Sequence, residues 1–174
     1  MKIQLKNLKY SDFASQETHC FQANIYIDGI KRGMADNDGR GGMTNINPWQ
    51  LEKEIKRFTD TLPPEVRHYG GEEMTFEVTP DGYIDDLVTL TLHEKDLKRG
   101  LKNKILFARD GKIYETKRLT AAEMTASFLD PKIKEKLKTE QILNVMQFDQ
   151  ALKLYMEFTK WKHGSNTQRM ELKT

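Results

Sequence analysis

A single cysteine, Cys20, is all the thiol that the 174 residues hold. No disulfide closes within the chain, and no thiolate zinc site with several ligands at short spacing can be built. Long apolar runs are missing as well. The richest stretch, Ile84 to Leu92, is broken by Asp85, Asp86 and two threonines, short of the roughly 20 apolar residues that cross a bilayer. The opening Met1-Lys2-Ile3-Gln4-Leu5-Lys6 alternates charge with apolar residues and lacks the apolar stretch and small-residue cleavage site of a secretory signal. A cytoplasmic protein with no membrane contact is the expectation. The four histidines, His19, His68, His93 and His163, never fall within four residues of one another, so none pairs at metal-ligand spacing. His93-Glu94 has no second histidine to make a zinc-protease helix. His19 and Cys20 are adjacent, but neighbours on a strand point to opposite faces and do not share a proton. No cofactor, no metal and no catalytic constellation are expected, hence no enzyme.

Charge of one sign is also scarce overall, at net +2. Mimicry of DNA by the whole molecule, which needs a strongly negative surface, is excluded. The distribution is uneven. Residues 43–92 hold 4 basic and 10 acidic groups, and residues 93–138 hold 13 and 7, so a segment of −6 is followed by one of +6. Either the two neutralise each other or the second offers a basic face.

Several elements are legible from pattern. Lys2 to Leu8 places Ile3, Leu5 and, after a skip, Leu8 against polar residues at a strand's period of two. Thr18 to Asp28 repeats this with Cys20, Ala23, Ile25 and Ile27, then meets Asp28-Gly29, a hairpin signal. Ile30 to Ala35 is the return strand. The run Asp36-Asn37-Asp38-Gly39-Arg40-Gly41-Gly42 reads as a loop, because glycine, Asp and Asn favour unusual dihedrals over regular structure. Asn47-Pro48-Trp49-Gln50 then predicts a helix capped by Asn47, with Leu51, Ile55, Phe58 and Leu62 on one face and Pro63-Pro64 ending it. Glu65 to Gly82 reads as a loop with a short extended piece through Met74, Phe76 and Val78, closed by a turn at Pro80-Asp81-Gly82. From Tyr83, the positions Ile84, Leu87, Leu90, Leu97 and Leu101 predict one helix, in which Gly100 costs about 1 kcal/mol relative to alanine. Arg109-Asp110-Gly111 joins Lys104–Phe107 to Lys112–Thr116 in a second hairpin. Thr120-Ala121-Ala122-Glu123 is a capping box opening a helix through Phe128, Pro131 begins a short turn to Leu137, and Gln147 to Trp161 is a last helix. The whole predicts one α+β domain over residues 1–162, an antiparallel sheet from two hairpins packed with four or five helices. A polar, loose tail follows over residues 163–174.

Two sets of residues carry candidate chemistry. In the glycine loop, Asp36, Asp38 and Gly41 match three places of a calcium-loop template. Arg40 stands where an oxygen ligand belongs, however, and Asn47 replaces the bidentate glutamate, so an EF-hand is excluded. Asp38, Arg40 and Asn45 are instead candidates for contact with a partner. The same loop, through its backbone N–H groups, is a candidate for holding the anion of a nucleotide. Lys95, Lys98, Arg99, Lys102 and Lys104 form the second set. Lys95, Arg99 and Lys102 recur at i, i+4 and i+7 on a helical face away from Leu97 and Leu101, placed to meet successive phosphates of a nucleic acid.

The residues Phe13-Ala14-Ser15, Glu17-Thr18, Cys20-Phe21, Tyr26, Asp28-Gly29, Asn37-Asp38-Gly39 and Gly41-Gly42 occur in a familiar order. So do Asp96-Leu97-Lys98-Arg99, Lys104-Ile105-Leu106-Phe107 and Asp110-Gly111-Lys112-Ile113-Tyr114 further on. Together they resemble a family of small proteins encoded by bacteriophages, prophages and other mobile elements. No catalytic motif comes with the resemblance. It implies a mobile-element context, in which small proteins without enzyme motifs act by binding host proteins or ribonucleoproteins, including host immune machinery. The expected function is therefore that of an accessory protein inhibiting a bacterial defence system, anti-CRISPR-like, by occupying a protein or nucleic-acid-binding surface. A nucleic-acid-binding protein using Lys95 to Lys104, and a nucleotide-sequestering protein using the Asp36 to Gly42 loop, are the alternatives.

Overall fold

The computed structural model describes residues 1–69, 72–139 and 141–159; the polar tail expected over 163–174 lies outside them. The chain is α+β and divides into two compact units, Met1–Thr91 and Leu92–Thr174.

The first unit is built on an antiparallel meander, β1 (Ile3–Tyr10), β2 (Cys20–Ile27), β3 (Ile30–Asp38) and β4 (Asn45–Asn47), hydrogen-bonded in that order. The skip before Leu8 has a backbone cause. Asn7 takes a positive φ of 55°, and the β1–β2 register shifts between Lys6 and Lys9, so one residue bulges and the alternation resets. On β2 the alternation is strict: Phe21, Ala23, Ile25 and Ile27 are buried. Asp28 and Gly29, with φ of 48° and 83°, make the tight turn expected of them.

β3 runs three residues past the predicted end. Asp36, Asn37 and Asp38 pair with Gln22, Phe21 and Cys20, because a ladder partner outweighs the poor strand propensity of Asp and Asn. The irregular segment therefore starts only at Gly39. α1 (Trp49–Thr59) buries Leu51, Ile55 and Thr59, and its Phe58 stands edge-on to Tyr83 at 5.5 Å. Its N-cap is Pro48 with no side-chain cap bond, and Asn47, predicted as the cap, is instead the last residue of β4. The Asn47–Pro48 peptide is cis.

Where a loop with one extended piece was expected, β5 (Glu65–Tyr69) pairs with β6 (Glu72–Phe76) in a third hairpin. The expected extended piece through Met74 and Phe76 is thus β6, every residue of which is exposed; its partner β5 was not expected. α2 (Pro80–Leu101) starts three residues before the predicted Tyr83. Proline is tolerated in a first turn, and the Thr79 hydroxyl accepts from the Gly82 amide at 3.3 Å. In this unit α2 buries Ile84 and Val88.

In the second unit, the last turns of α2 bury Leu97 and Gly100. A Cβ at Gly100 would meet the Leu106 side chain at 2.9 Å, so the helix tolerates a poor helix former in exchange for close packing. β7 (Leu106–Arg109) and β8 (Lys112–Glu115) form the expected hairpin, with Asp110 and Gly111 both at positive φ. A two-residue strand, β9 (Gln141–Ile142), completes a sheet ordered β8-β7-β9. Phe107 stacks on Tyr114 at 5.6 Å in a core with Ile105, Leu137 and Ile142. Three helices follow β8. α3 (Ala121–Leu129) has both halves of the Thr120/Glu123 capping box, α4 spans Ile133–Leu137, and α5 (Phe148–Phe158) buries Ala151, Leu152 and Tyr155.

Candidate functional site

Two loops meet at one end of the four-stranded sheet. Tyr10 pairs with Phe21, Cys20 with Asp38, and Asp36 with Asn45, so the β1–β2 connection and the β3–β4 connection emerge side by side. Hydrogen bonds tie them together. The Gly39 carbonyl accepts from the amides of Gln16 and Glu17, both at 2.9 Å. Gly39 has a φ of 84°, and a Cβ there would collide with the Ala14 carbonyl oxygen and with the Cys20 side chain. Only a residue without a side chain fits that conformation and that gap.

Beneath the loops runs a polar chain, buried at Asn37 and Thr44 and half-buried at its two ends. The Thr18 hydroxyl donates to Asn37 Oδ1 at 2.9 Å, and the Asn37 amide donates to the Gly42 carbonyl at 2.8 Å and to Thr44 Oγ1 at 3.2 Å. Thr44 in turn donates to Asp85 Oδ1 on α2 at 2.5 Å. Burial pushes the Asp85 carboxyl above the usual aspartate range and the nearby Asp81 adds to this, while the Thr44 hydrogen bond opposes it. Nearby, His19 Nε2 lies 3.0 Å from Thr89 Oγ1. Four side chains spread from position 18 to position 85 thus hold both loops to α2, an arrangement that fixes the loops before any partner arrives.

On this framework the tip presents Phe13, 97% exposed, Met43, 74% exposed, and the exposed side chains of Asp38 and Arg40. Asp38 and Arg40 are brought together, since the Arg40 amide donates to Asp38 Oδ1 at 3.1 Å. Asn45 turns instead across the ladder, its amide donating to Asp36 Oδ2 at 3.3 Å. Three of the amides that would hold an anion already donate to side-chain oxygens: Gly39 to Asn37, Arg40 to Asp38 and Gly41 to Thr18. An anion would have to displace all three.

Sequence reasoning missed Phe13 and Met43, because an apolar residue is assigned to the core by default; only position in the fold shows that these two face water. Asn37, Thr44 and Asp85 were missed as a set because they are distant in the chain.

The basic set lies in the second unit. Lys95, Lys98 and Arg99 are exposed along the last turns of α2, and Lys102 is exposed in the turn just past its end. Their charge is partly met locally. Lys98 Nζ is 3.1 Å from Glu94 and 4.9 Å above the Phe148 ring, and Arg99 is 2.9 Å from Asp96. Exposed pairs of this kind are weak, so these cations remain open to exchange for phosphates. Lys104 differs: its ammonium is 2.6 Å from Glu115, with the two side chains 18% and 14% exposed. It belongs to the packing of the β7–β8 hairpin.

Among the described residues no group of three or more His, Cys, Asp or Glu side chains could hold a metal ion, and no helix is long and apolar enough to cross a membrane. No family model, no curated protein and no solved structure matches the chain.

Proposed function

We propose that the protein is a phage or mobile-element accessory protein that acts by binding in the bacterial cytoplasm, inhibiting a host defence system of the CRISPR kind by occupying a surface of one of its proteins or ribonucleoproteins. The observation that carries this reading is the pre-fixed tip. An aromatic ring, a methionine and an arginine, residue types enriched at protein interfaces, stand exposed on loops already ordered by the Thr18–Asn37–Thr44–Asp85 chain. Loops ordered in advance lose less entropy on binding, which favours affinity. A second reading, nucleic-acid binding through Lys95, Lys98, Arg99 and Lys102, is favoured by their common exposure at the end of α2 and in the turn after it.

A pull-down from host lysate, with and without nuclease, followed by affinity measurement on the purified captured component, tests the two together. The tip reading expects capture to survive nuclease. It also expects Phe13→Ala and Arg40→Ala each to weaken binding about tenfold or more while the melting temperature stays within about a degree or two of wild type. Capture that disappears with nuclease, and with joint reversal of Lys98, Arg99 and Lys102 to Glu but not with the tip variants, would transfer the function to the basic face.

A further inference from the structure

Outside the tip, α1 carries a feature that the loops do not use. Trp49, at its first turn, is 58% exposed. It lines a shallow hollow of about 420 Å³ with Gln50, Lys53, Glu54 and Arg57. Lys53 Nζ sits 4.1 Å from the centre of the indole ring. Glu54, the acidic residue of the hollow, is met by Arg32 of β3 at 2.9 Å, so Lys53 and Arg57 dominate the local charge.

Large exposed tryptophans occur both as anchors of protein interfaces and as stacking platforms for bases, and the surroundings distinguish the two. An interface anchor sits among apolar neighbours at a patch whose core is depleted of charge. Apart from Trp49 itself, the residues lining this hollow are polar or charged. A ring face with one cation over it and a second in the same hollow one helical turn further on, a rise of about 6 Å, suits a flat base on the indole and consecutive phosphates on the ammonium and the guanidinium.

We infer that Trp49, Lys53 and Arg57 form a binding site for single-stranded nucleic acid, in which a base stacks on Trp49 and the flanking phosphates pair with Lys53 and Arg57. A base arriving at the ring releases the Lys53 ammonium from the indole to the phosphate attached to that base. The site is sequence-tolerant, because every base offers a π-face to the indole.

The chain has two tryptophans, so the full-length Trp161→Phe variant leaves Trp49 as the sole indole reporter. Its fluorescence is titrated with oligo(dT) and oligo(rU) of about twelve nucleotides, a length within the reach of one stacking groove. Each is run at about 50 mM and about 200 mM salt, with the phosphate-free nucleoside uridine as control. The expected result is quenching by both oligonucleotides, weakened about sevenfold between the two salts by the two phosphate contacts, and none by uridine. Measured by anisotropy of a labelled strand, Trp49→Leu weakens binding about tenfold or more. Replacing Lys53 and Arg57 together by alanine flattens the salt slope by about 1.4. Both variants keep the wild-type melting temperature, and reversal of Lys98, Arg99 and Lys102 leaves the quench in place. The proposal is overturned if oligonucleotide at about 100 µM leaves the indole unchanged at low salt, if the quench ignores salt, or if Trp49→Leu binds as wild type does. It is equally overturned if Trp49→Leu costs a captured host protein and no nucleic acid. The tip variants, read on the protein partner, fail or succeed independently of all these results.

Discussion

Replacing Gly39 by alanine, beside the same change at Gly42, separates what the glycine loop needs for folding from what it offers a partner. Gly39 holds a φ of 84°, where any Cβ costs about 1 kcal/mol. The added methyl would also overlap the Ala14 carbonyl oxygen and come within 2.8 Å of the Cys20 Cβ. The first obstacle is main chain and cannot rotate away, so the two loops must separate. Separation stretches the bonds from the Gln16 and Glu17 amides to the Gly39 carbonyl, each worth about 1 kcal/mol net. The sum is about 3 kcal/mol, which for a chain of this length lowers the melting temperature by about 6–12 °C. Gly42 has neither a positive φ nor any atom within 4 Å of a built Cβ, so its alanine variant should lie within about 0.5 kcal/mol of wild type. Thermal unfolding followed by circular dichroism reads both, and hydrogen exchange at Gln16 and Glu17 should speed up only in Gly39→Ala. Equal melting shifts for the two variants, or a Gly39→Ala protein as stable as wild type, would refute the packing argument.

Two further outcomes follow from the polar groups. Burial raises the folded-state pKa of Asp85, so its contribution to stability is fully present below the ordinary aspartate pKa and is lost as pH rises through the folded value. Asp85→Asn, still able to accept from Thr44, should therefore melt higher than wild type at neutral pH, with the gap closing as pH falls through the carboxylate range; a gap constant with pH would exclude buried charge as its cause. Lys104→Ala leaves Glu115 half-buried without its cation 2.6 Å away and should cost about 1–3 kcal/mol, whereas Lys102→Ala, at an exposed turn position after α2, should stay within about 0.5 kcal/mol. Denaturant melts of the pair decide this, and similar midpoints would mean that the Lys104 pair contributes no more than a surface pair does.

What the sequence made legible were features whose physics is local. Of the four Asp-Gly pairs, Asp28-Gly29 and Asp110-Gly111 make tight turns with both residues at positive φ, whereas Asp38-Gly39 ends β3 and Asp81-Gly82, expected as a turn, lies in the first turn of α2. The Thr120 capping box lies within four residues, and Leu51 and Ile55 mark the buried face of α1 by spacing alone. Two of the misses share one cause, which is that their partners are distant. β9 is two residues long and exists because Phe107 offers it a ladder. β3 outlasts its own composition because Cys20, Phe21 and Gln22 hold it extended. The β5–β6 hairpin is a different case: β6 is exposed at every residue, so the alternation of Met74 and Phe76 marks a strand without marking a buried face.

The candidate sites obey the same distinction in reverse. Asp38 and Arg40 were found because a glycine-rich loop advertises itself, yet that loop owes its shape to groups the composition does not flag. Its amides are held by Asn37, Asp38 and Thr18, and its far end by Thr44 against Asp85 on a helix some forty residues later. The residues that leave the molecule's surface open to others, Phe13, Met43 and Trp49, are those that a hydrophobicity pattern sends inward. Exposure of a large apolar side chain is a property of the fold and not of the residue, so on this chain the positions most informative about binding become visible only once the sheet and the helices are in place.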